Sequence, residues 1–166
     1  MPTSYHFFKN EVKEHLFENI DINSMILDVG PGLGTYGLLL KPEFKNIDAV
    51  EVWEKYIDEF KLTTIYKSVY IGNILTFNFS GYDYIIMGDV LEHINIFDAQ
   101  DLVKRICDKN IKCLIAVPYM YPQGPYEGNV YETHLQPDIT PENFLERYPQ
   151  LKCLFKNDQY GYYINY

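Results

Sequence analysis

The chain has 166 residues, 47% hydrophobic and 22% charged, which supplies enough apolar side chain for one packed core of ordinary domain size. Its formal net charge of −9 argues against a sequence-independent grip on nucleic acid, which runs on Lys and Arg, and leaves small molecules or cationic partners. No apolar run reaches the roughly 18 residues of a membrane span. The stretch MPTSYHFFKNEVKEH lacks a basic-then-apolar leader pattern, and the three cysteines have no C-x-x-C spacing, so the expectation is a cytoplasmic protein with reduced thiols.

In chain order, Phe7–Asn19 reads as an amphipathic helix with Phe8, Val12, His15, Leu16 and Asn19 on one face, within an N-terminal segment 1–24. The apolar run Met25–Val29 reads as a buried strand, and the helix that follows Gly34 is limited by Pro42. Ile47–Val52 is a second strand, Glu54–Leu62 a helix, and Thr64–Ile71 contains a third strand. Tyr82–Met87 is a fourth strand with a helix opening at about Asp89, and Asp98–Cys107 is another helix. Lys112–Val117 is a fifth strand closed by Pro118. Residues 119–139, punctuated by Pro122, Gly124, Pro125, Gly128 and Pro137, read as a long loop of the kind that forms lids or binding segments. Thr140 caps a short helix with Pro141 at its first position and Asn143 at its third. The tail holds two β-like runs around Asn157-Asp158, an antiparallel hairpin for a sheet edge.

The densest chemical signal is MILDVGPGLGTYG, residues 25–37. Glycine is favoured where the chain turns sharply or a ligand lies against the main chain, and Gly30, Gly32, Gly34 and Gly37 exceed the needs of a turn. Two registers overlap here. Gly32–Gly37 matches the dinucleotide fingerprint G-x-G-x-x-G, which keeps a nicotinamide-dependent oxidoreductase open, although that fingerprint should begin directly at the strand end. Asp28–Gly34 instead reads D-x-G-x-G-x-G, with the acid inside the strand end. In this register the segment resembles motif I of the class I S-adenosylmethionine (AdoMet)-dependent methyltransferases. AdoMet has no phosphate, and its methionine end offers an ammonium and a carboxylate. The resemblance implies that Asp28 interacts with the ammonium, often through water, while backbone N–H groups around Gly30, Gly32 and Gly34 face the carboxylate.

The resemblance runs to Val117. Glu51, about 20 residues past Asp28 at the end of the second strand, stands where the family places an acid that accepts the ribose hydroxyls, with Val52 beside it and Trp53 near the adenine. Asn73 stands where the family often has an acid for the adenine amino group, with Ile74 against the adenine face. Residues 83–93, DYIIMGDVLEH, resemble motif IV, where Gly88 and Asp89 would border the sulfonium and methyl. Asp89, Glu92 and His93 are spaced to share a helical face, and the plain reading of the first two is a capping box, which leaves His93 unexplained. Some methyltransferases with a resembling E-x-x-E-H segment and a downstream His, here His134, hold a divalent metal that activates a substrate hydroxyl. Asp replaces the first Glu here, and many members with L-E-H use no metal. The site carried forward is metal-free, with Asp89, His93 and His134 as catalytic residues, either histidine positioning the acceptor or acting as general base; a structural role for each stays open.

Together these readings give an α/β fold, a Rossmann-like doubly wound, mostly parallel sheet with an antiparallel C-terminal hairpin, in a single domain over residues 1–166. The expected activity is methyl transfer from AdoMet to an O or N atom of a small-molecule acceptor, with in-line positioning supplying much of the rate. Tyr119, Tyr121, Tyr126 and Tyr131 are candidates for the acceptor pocket. A non-catalytic AdoMet-fold module that supports a partner protein is the third reading.

Overall fold

The computed structural model describes residues 4–166, so the first three residues of the expected N-terminal segment lie outside it. Among the described residues, twelve regular elements alternate: α1 (Lys9–Asn19), β1 (Ile26–Val29), α2 (Thr35–Leu40), β2 (Ile47–Glu51), α3 (Lys55–Glu59), β3 (Ser68–Ile71), β4 (Tyr84–Gly88), α4 (Ile96–Asp108), β5 (Lys112–Pro118), α5 (Pro141–Arg147), β6 (Lys152–Lys156) and β7 (Tyr160–Ile164). The seven strands lie in the sheet order β3-β2-β1-β4-β5-β7-β6. This is the expected Rossmann-like mixed sheet with an antiparallel hairpin at one edge. The chain divides into two compact units, Pro2–Ile86 and Met87–Tyr166.

In the first unit β1, β2 and β3 pair in parallel, with Asp28 opposite Ala49 and Glu51 opposite Ile71. Both β1 and β2 are buried throughout, which is why they read as mostly apolar runs, with Asp28 and Glu51 near their C-terminal ends and Asp48 near the start of β2. α1 starts two residues later than its apolar pattern predicts, because Phe8 takes a left-handed conformation. Val12 and Leu16 carry its buried face, whereas Asn19 is exposed and its side chain donates back to the His15 carbonyl at 2.8 Å. The third strand lies within Thr64–Ile71 as expected: Leu62–Thr64 is a 3-10 turn, and pairing begins at Ser68.

In the second unit β7 pairs antiparallel with both β5 and β6, so the hairpin continues the sheet. Every residue of β7 is buried, and the tyrosine-rich tail is core: Tyr160, Tyr162 and Tyr163 are fully buried, and the Tyr163 and Tyr119 hydroxyls lie 2.6 Å apart. Tyr119 is therefore packing and not a pocket wall, while Tyr121 and Tyr131 are exposed and Tyr126 is half-buried. α4 begins two residues before its sequence pattern because Asn95 caps it, accepting from the Asp98 N–H; Ala99, Leu102, Val103 and Ile106 form its buried stripe. The cap of α5 is as expected and reciprocal. Thr140 Oγ1 accepts from the Asn143 N–H at 3.2 Å, and Asn143 Oδ1 accepts from the Thr140 N–H at 2.9 Å. Thr140→Ala should therefore lower stability by about 1 kcal/mol in a denaturant melt, by removal of one satisfied first-turn donor.

Candidate functional site

The first unit carries the glycine segment. Gly30, Gly32 and Gly34 have φ of 58°, 51° and 78°, so the turn from β1 into α2 is left-handed at alternate residues, a path that side chains would strain. Two of the three amides are committed inside the protein, Gly30 N–H to the Val50 carbonyl at 2.9 Å and Gly34 N–H to the Pro31 carbonyl at 2.7 Å. Gly34 is also crowded, since a Cβ there would lie 2.6 Å from Ile65 Cδ1.

Asp28, one residue inside the end of β1, is 1% exposed. Burial raises its carboxyl to about 7, against the opposing pull of the Tyr66 hydroxyl and Lys9, while Glu51 adds to the rise. Glu51, the last residue of β2, is 4% exposed, and its Oε1 accepts from the Trp53 N–H at 2.8 Å, which fixes the carboxylate at the strand end. Val52 and Trp53 are half-buried just beyond it. Asn73 is exposed with Oδ1 already accepting from the Leu75 N–H at 2.9 Å, so only its second lone pair remains for an adenine amino group. Ile74 is buried, at 6% exposure.

The second unit carries the acid–histidine cluster, and here the local reading of the sequence is corrected. No helix opens at Asp89. Asp89 has φ +58°, its N–H donates to the Ala116 carbonyl at 2.9 Å, and its Oδ2 accepts from the Tyr160 hydroxyl at 2.7 Å. A 3-10 turn follows at Leu91–His93 with Val90 before it and no side-chain cap, so the Asp89–Glu92 capping box is absent. Tertiary contacts at Asp89 win over the helix-like spacing of D-V-L-E-H. Gly88 ends β4 half-buried.

The loss of the box removes a partner Glu92 would have had, and only its own backbone N–H draws its carboxyl toward the ionised form. Glu92 is 1% exposed, and neither carboxylate oxygen has a hydrogen-bond partner. Burial, and then the charges of Asp89 and Glu132, hold its carboxyl well above the usual range. Two imidazoles lie beside it. Ligand atoms of Glu92, His93 and His134 all fall within 4.8 Å of one another, and the rings of His93 and His134 meet edge-on at 4.6 Å. His93 Nδ1 lies 3.2 Å from the Thr133 carbonyl and His134 Nδ1 lies 2.6 Å from the Tyr121 carbonyl. A carbonyl only accepts, so each Nδ1 carries the proton and each Nε2 keeps a lone pair. Burial pushes both rings toward the neutral form, His93 down to about 4 with help from its neighbour His134.

Gln136 ties the two parts of this cluster together. Its side-chain amide donates to the Leu91 and Ile94 carbonyls at 3.0 and 2.9 Å, and the backbone amides of Leu135 and Gln136 both donate to the Glu92 carbonyl. Its Oε1 in turn accepts from the Tyr148 hydroxyl at 2.9 Å. Neither Gln136 nor Tyr66 stood out in the sequence, because each acts through partners some 40 residues distant.

No protein-family model matches the sequence, and no curated protein matches it either. The fold does have solved relatives. An S-adenosylmethionine-dependent methyltransferase from Clostridium acetobutylicum superposes with a TM-score of 0.69 at 14% identity, over 98% of this chain and 91% of that one. Magnesium protoporphyrin IX methyltransferase from Synechocystis, solved with bound SAH, gives 0.65 at 11% identity over 95% and 82%. The methyltransferase domain of the bacterial protein CtHen1-CN gives 0.63 at 21% identity over 93% and 96%. The fold is thus that of the AdoMet-dependent methyltransferases.

Proposed function

We propose that this chain transfers the methyl group of AdoMet to a hydroxyl oxygen of a small-molecule acceptor, aided by a divalent cation on Glu92, His93 and His134. One observation carries the methyltransferase reading: the left-handed glycine turn lies between two buried acids, Asp28 and Glu51, at the ends of adjacent parallel strands. When bound, AdoMet supplies a sulfonium methyl already activated for in-line displacement. Around it the residues bind and orient. Glu51, held by the Trp53 N–H, accepts the ribose hydroxyls, with Val52 beside it. Asp28 meets the ammonium, and the Gly32 stretch of the turn approaches the carboxylate. Asn73 and Ile74 serve the adenine, and Gly88 and Asp89 border the transferred methyl. The acidic surface, at net −9, fits a small acceptor better than nucleic acid. Among the described residues no helix is long and apolar enough to cross a membrane.

The cation reading rests on Glu92. A buried carboxylate without a donor, among further acids, is costly unless a positive charge offsets it. Two neutral imidazoles with Nε2 lone pairs and Nδ1 protons anchored on carbonyls are the ligand arrangement that first-row divalent ions take. Two donors each about 2.1 Å from one ion are at most about 4.2 Å apart, so the cluster needs only small side-chain adjustment from its 4.8 Å span. The ion would supply Lewis acidity toward an acceptor hydroxyl. His93 and His134, which the sequence put forward as a positioning residue or general base, become ligands in this reading, and Asp89 steadies the turn that precedes them.

Calorimetry with AdoMet, its demethylated product SAH and NAD tests the cofactor. AdoMet and SAH should bind, NAD should not, and Glu51→Ala should weaken AdoMet by roughly 10- to 100-fold, the worth of hydrogen bonds to a charged group. Binding of NAD alone would establish the oxidoreductase alternative. Tight AdoMet binding with no transfer of labelled methyl to any acceptor in an extract supplied with Mn²⁺ would favour the non-catalytic module.

A further inference from the structure

Asp28 has a fixed neighbour that its own segment does not reveal. Tyr66 lies just before β3, is 5% exposed, and donates its phenol to Asp28 Oδ2 at 2.5 Å. The phenol oxygen accepts in turn from the Gly37 N–H at 3.3 Å. A Cβ on Gly37 would lie 2.5 Å from Tyr66 Cε1 and Cζ, so the fourth glycine of the motif leaves the space that the ring fills. Two other charged groups face Asp28. Lys9 of α1 favours its carboxylate form and also donates to the Tyr36 hydroxyl at 3.0 Å, while Glu51 of β2 opposes that form.

We propose that Tyr66 is a positioning residue of the AdoMet site: its phenol holds the Asp28 carboxylate ionised and oriented toward the cofactor's ammonium, and Gly37 admits the ring that does so. This rests on the AdoMet reading above. A buried carboxylate that loses its donor takes up a proton, and a protonated Asp28 cannot neutralise an ammonium. Burial brings Asp28 to about 7, and of the groups that pull it downward the Tyr66 hydrogen bond is the largest. Burial and Asp28 itself raise the phenol well above its ordinary value, so Tyr66 remains a donor throughout the neutral range. The ionised fraction of Asp28 near pH 7 therefore depends on this phenol.

Tyr66→Phe keeps the ring and removes the donor. In the ligand-free protein, an NMR titration of the Asp28 carboxyl carbon should show a midpoint near 7 that moves up by about one unit in the variant. Unchanged midpoints would overturn the pairing. Calorimetry with AdoMet and SAH from pH 6 to 9 should show wild-type affinity rising through pH 7. The variant should bind about fivefold more weakly at pH 7 and recover by pH 9. A loss of equal size at every pH, or no loss, would reduce Tyr66 to packing and overturn the proposal. Gly37→Ala, whose Cβ displaces the ring, should reproduce the same shifted profile. If the wild type binds neither AdoMet nor SAH, the cofactor reading and the cofactor role of Tyr66 fall together, while the carboxyl titration still decides whether Tyr66 holds Asp28.

Discussion

Glu92→Met should make the metal-free protein more stable and the enzyme nearly inactive. Met is unbranched, matches Glu in length and needs no hydrogen bond. Glu92 is 1% exposed with both oxygens unpartnered, so the substitution removes an unmet buried acceptor, worth about 1–3 kcal/mol. At this chain length that is a rise in Tm of roughly 3–10 °C. The gain should depend on pH. Burial and the neighbouring acids raise the folded Glu92 pKa above its unfolded value of 4.5. Its stabilising proton is fully present below 4.5 and lost as pH rises through the folded value, so the advantage of Met is larger at pH 8 than at pH 4. A divalent ion reverses the order. At about 100 times its Kd, an ion that binds only the folded state adds about 2.7 kcal/mol to the wild type and little to the variant. Melts of both proteins with Mn²⁺ and with EDTA, alongside methyl transfer, check this, and turnover of the variant should fall by about 100-fold or more. A wild-type Tm indifferent to a series of divalent ions would remove the cation from the reading and return His93 and His134 to positioning or general-base roles.

The elements that could be read in advance are those whose local pattern and tertiary role agree. β1 and β2 are apolar runs because both faces are covered, and Thr140, Pro141 and Asn143 spell a helix start that the structure uses as written. The tail was legible as a hairpin from its two β-like runs, whereas Tyr119, one of four tyrosines put forward for a pocket wall, is core, because a phenol pairs equally well with another phenol inside. The miss at Asp89 has a definite cause. Residues 89–93 have helical spacing, but Tyr160 and the Ala116 carbonyl, both distant in sequence, hold Asp89 in a left-handed turn. That same turn deprives Glu92 of the partner a capping box would have given it, and the unpartnered carboxyl becomes the strongest feature of the cluster. Spacing grouped Asp89, Glu92 and His93, and the family resemblance added His134 to them as a candidate. Which of them lacks a partner, and which imidazole nitrogen is left with its lone pair, depends on carbonyls at Tyr121 and Thr133 that sequence spacing does not locate.

Asp28→Asn should separate stability from binding in the other unit. Asn keeps the shape and an oxygen for the Tyr66 phenol, but it carries no charge to be buried. The folded Asp28 pKa, about 7, lies above the unfolded 3.8, so the contribution of its proton to stability is fully present below 3.8 and lost as pH rises through 7. Three units at 1.36 kcal/mol each bound that loss at roughly 4 kcal/mol. The variant should therefore melt near the wild-type temperature at pH 4 and well above it at pH 8, with the difference growing across that interval. Its AdoMet affinity should move the opposite way. At pH 8 the wild type presents a carboxylate to the ammonium and the variant presents only a neutral amide, so binding should weaken by about 10- to 100-fold. At pH 6, where the wild-type acid is mostly protonated, the two proteins should bind within a few-fold of each other. A variant that is no more stable at pH 8 would mean that Asp28 is ionised at little cost in the free protein, through Tyr66 and Lys9 acting together. A variant that is more stable and binds AdoMet unchanged would mean that the ammonium is met elsewhere. The buried carboxylate is thus expected to destabilise the free protein at neutral pH and to be offset when a cation arrives, the same logic that governs Glu92 in the other unit.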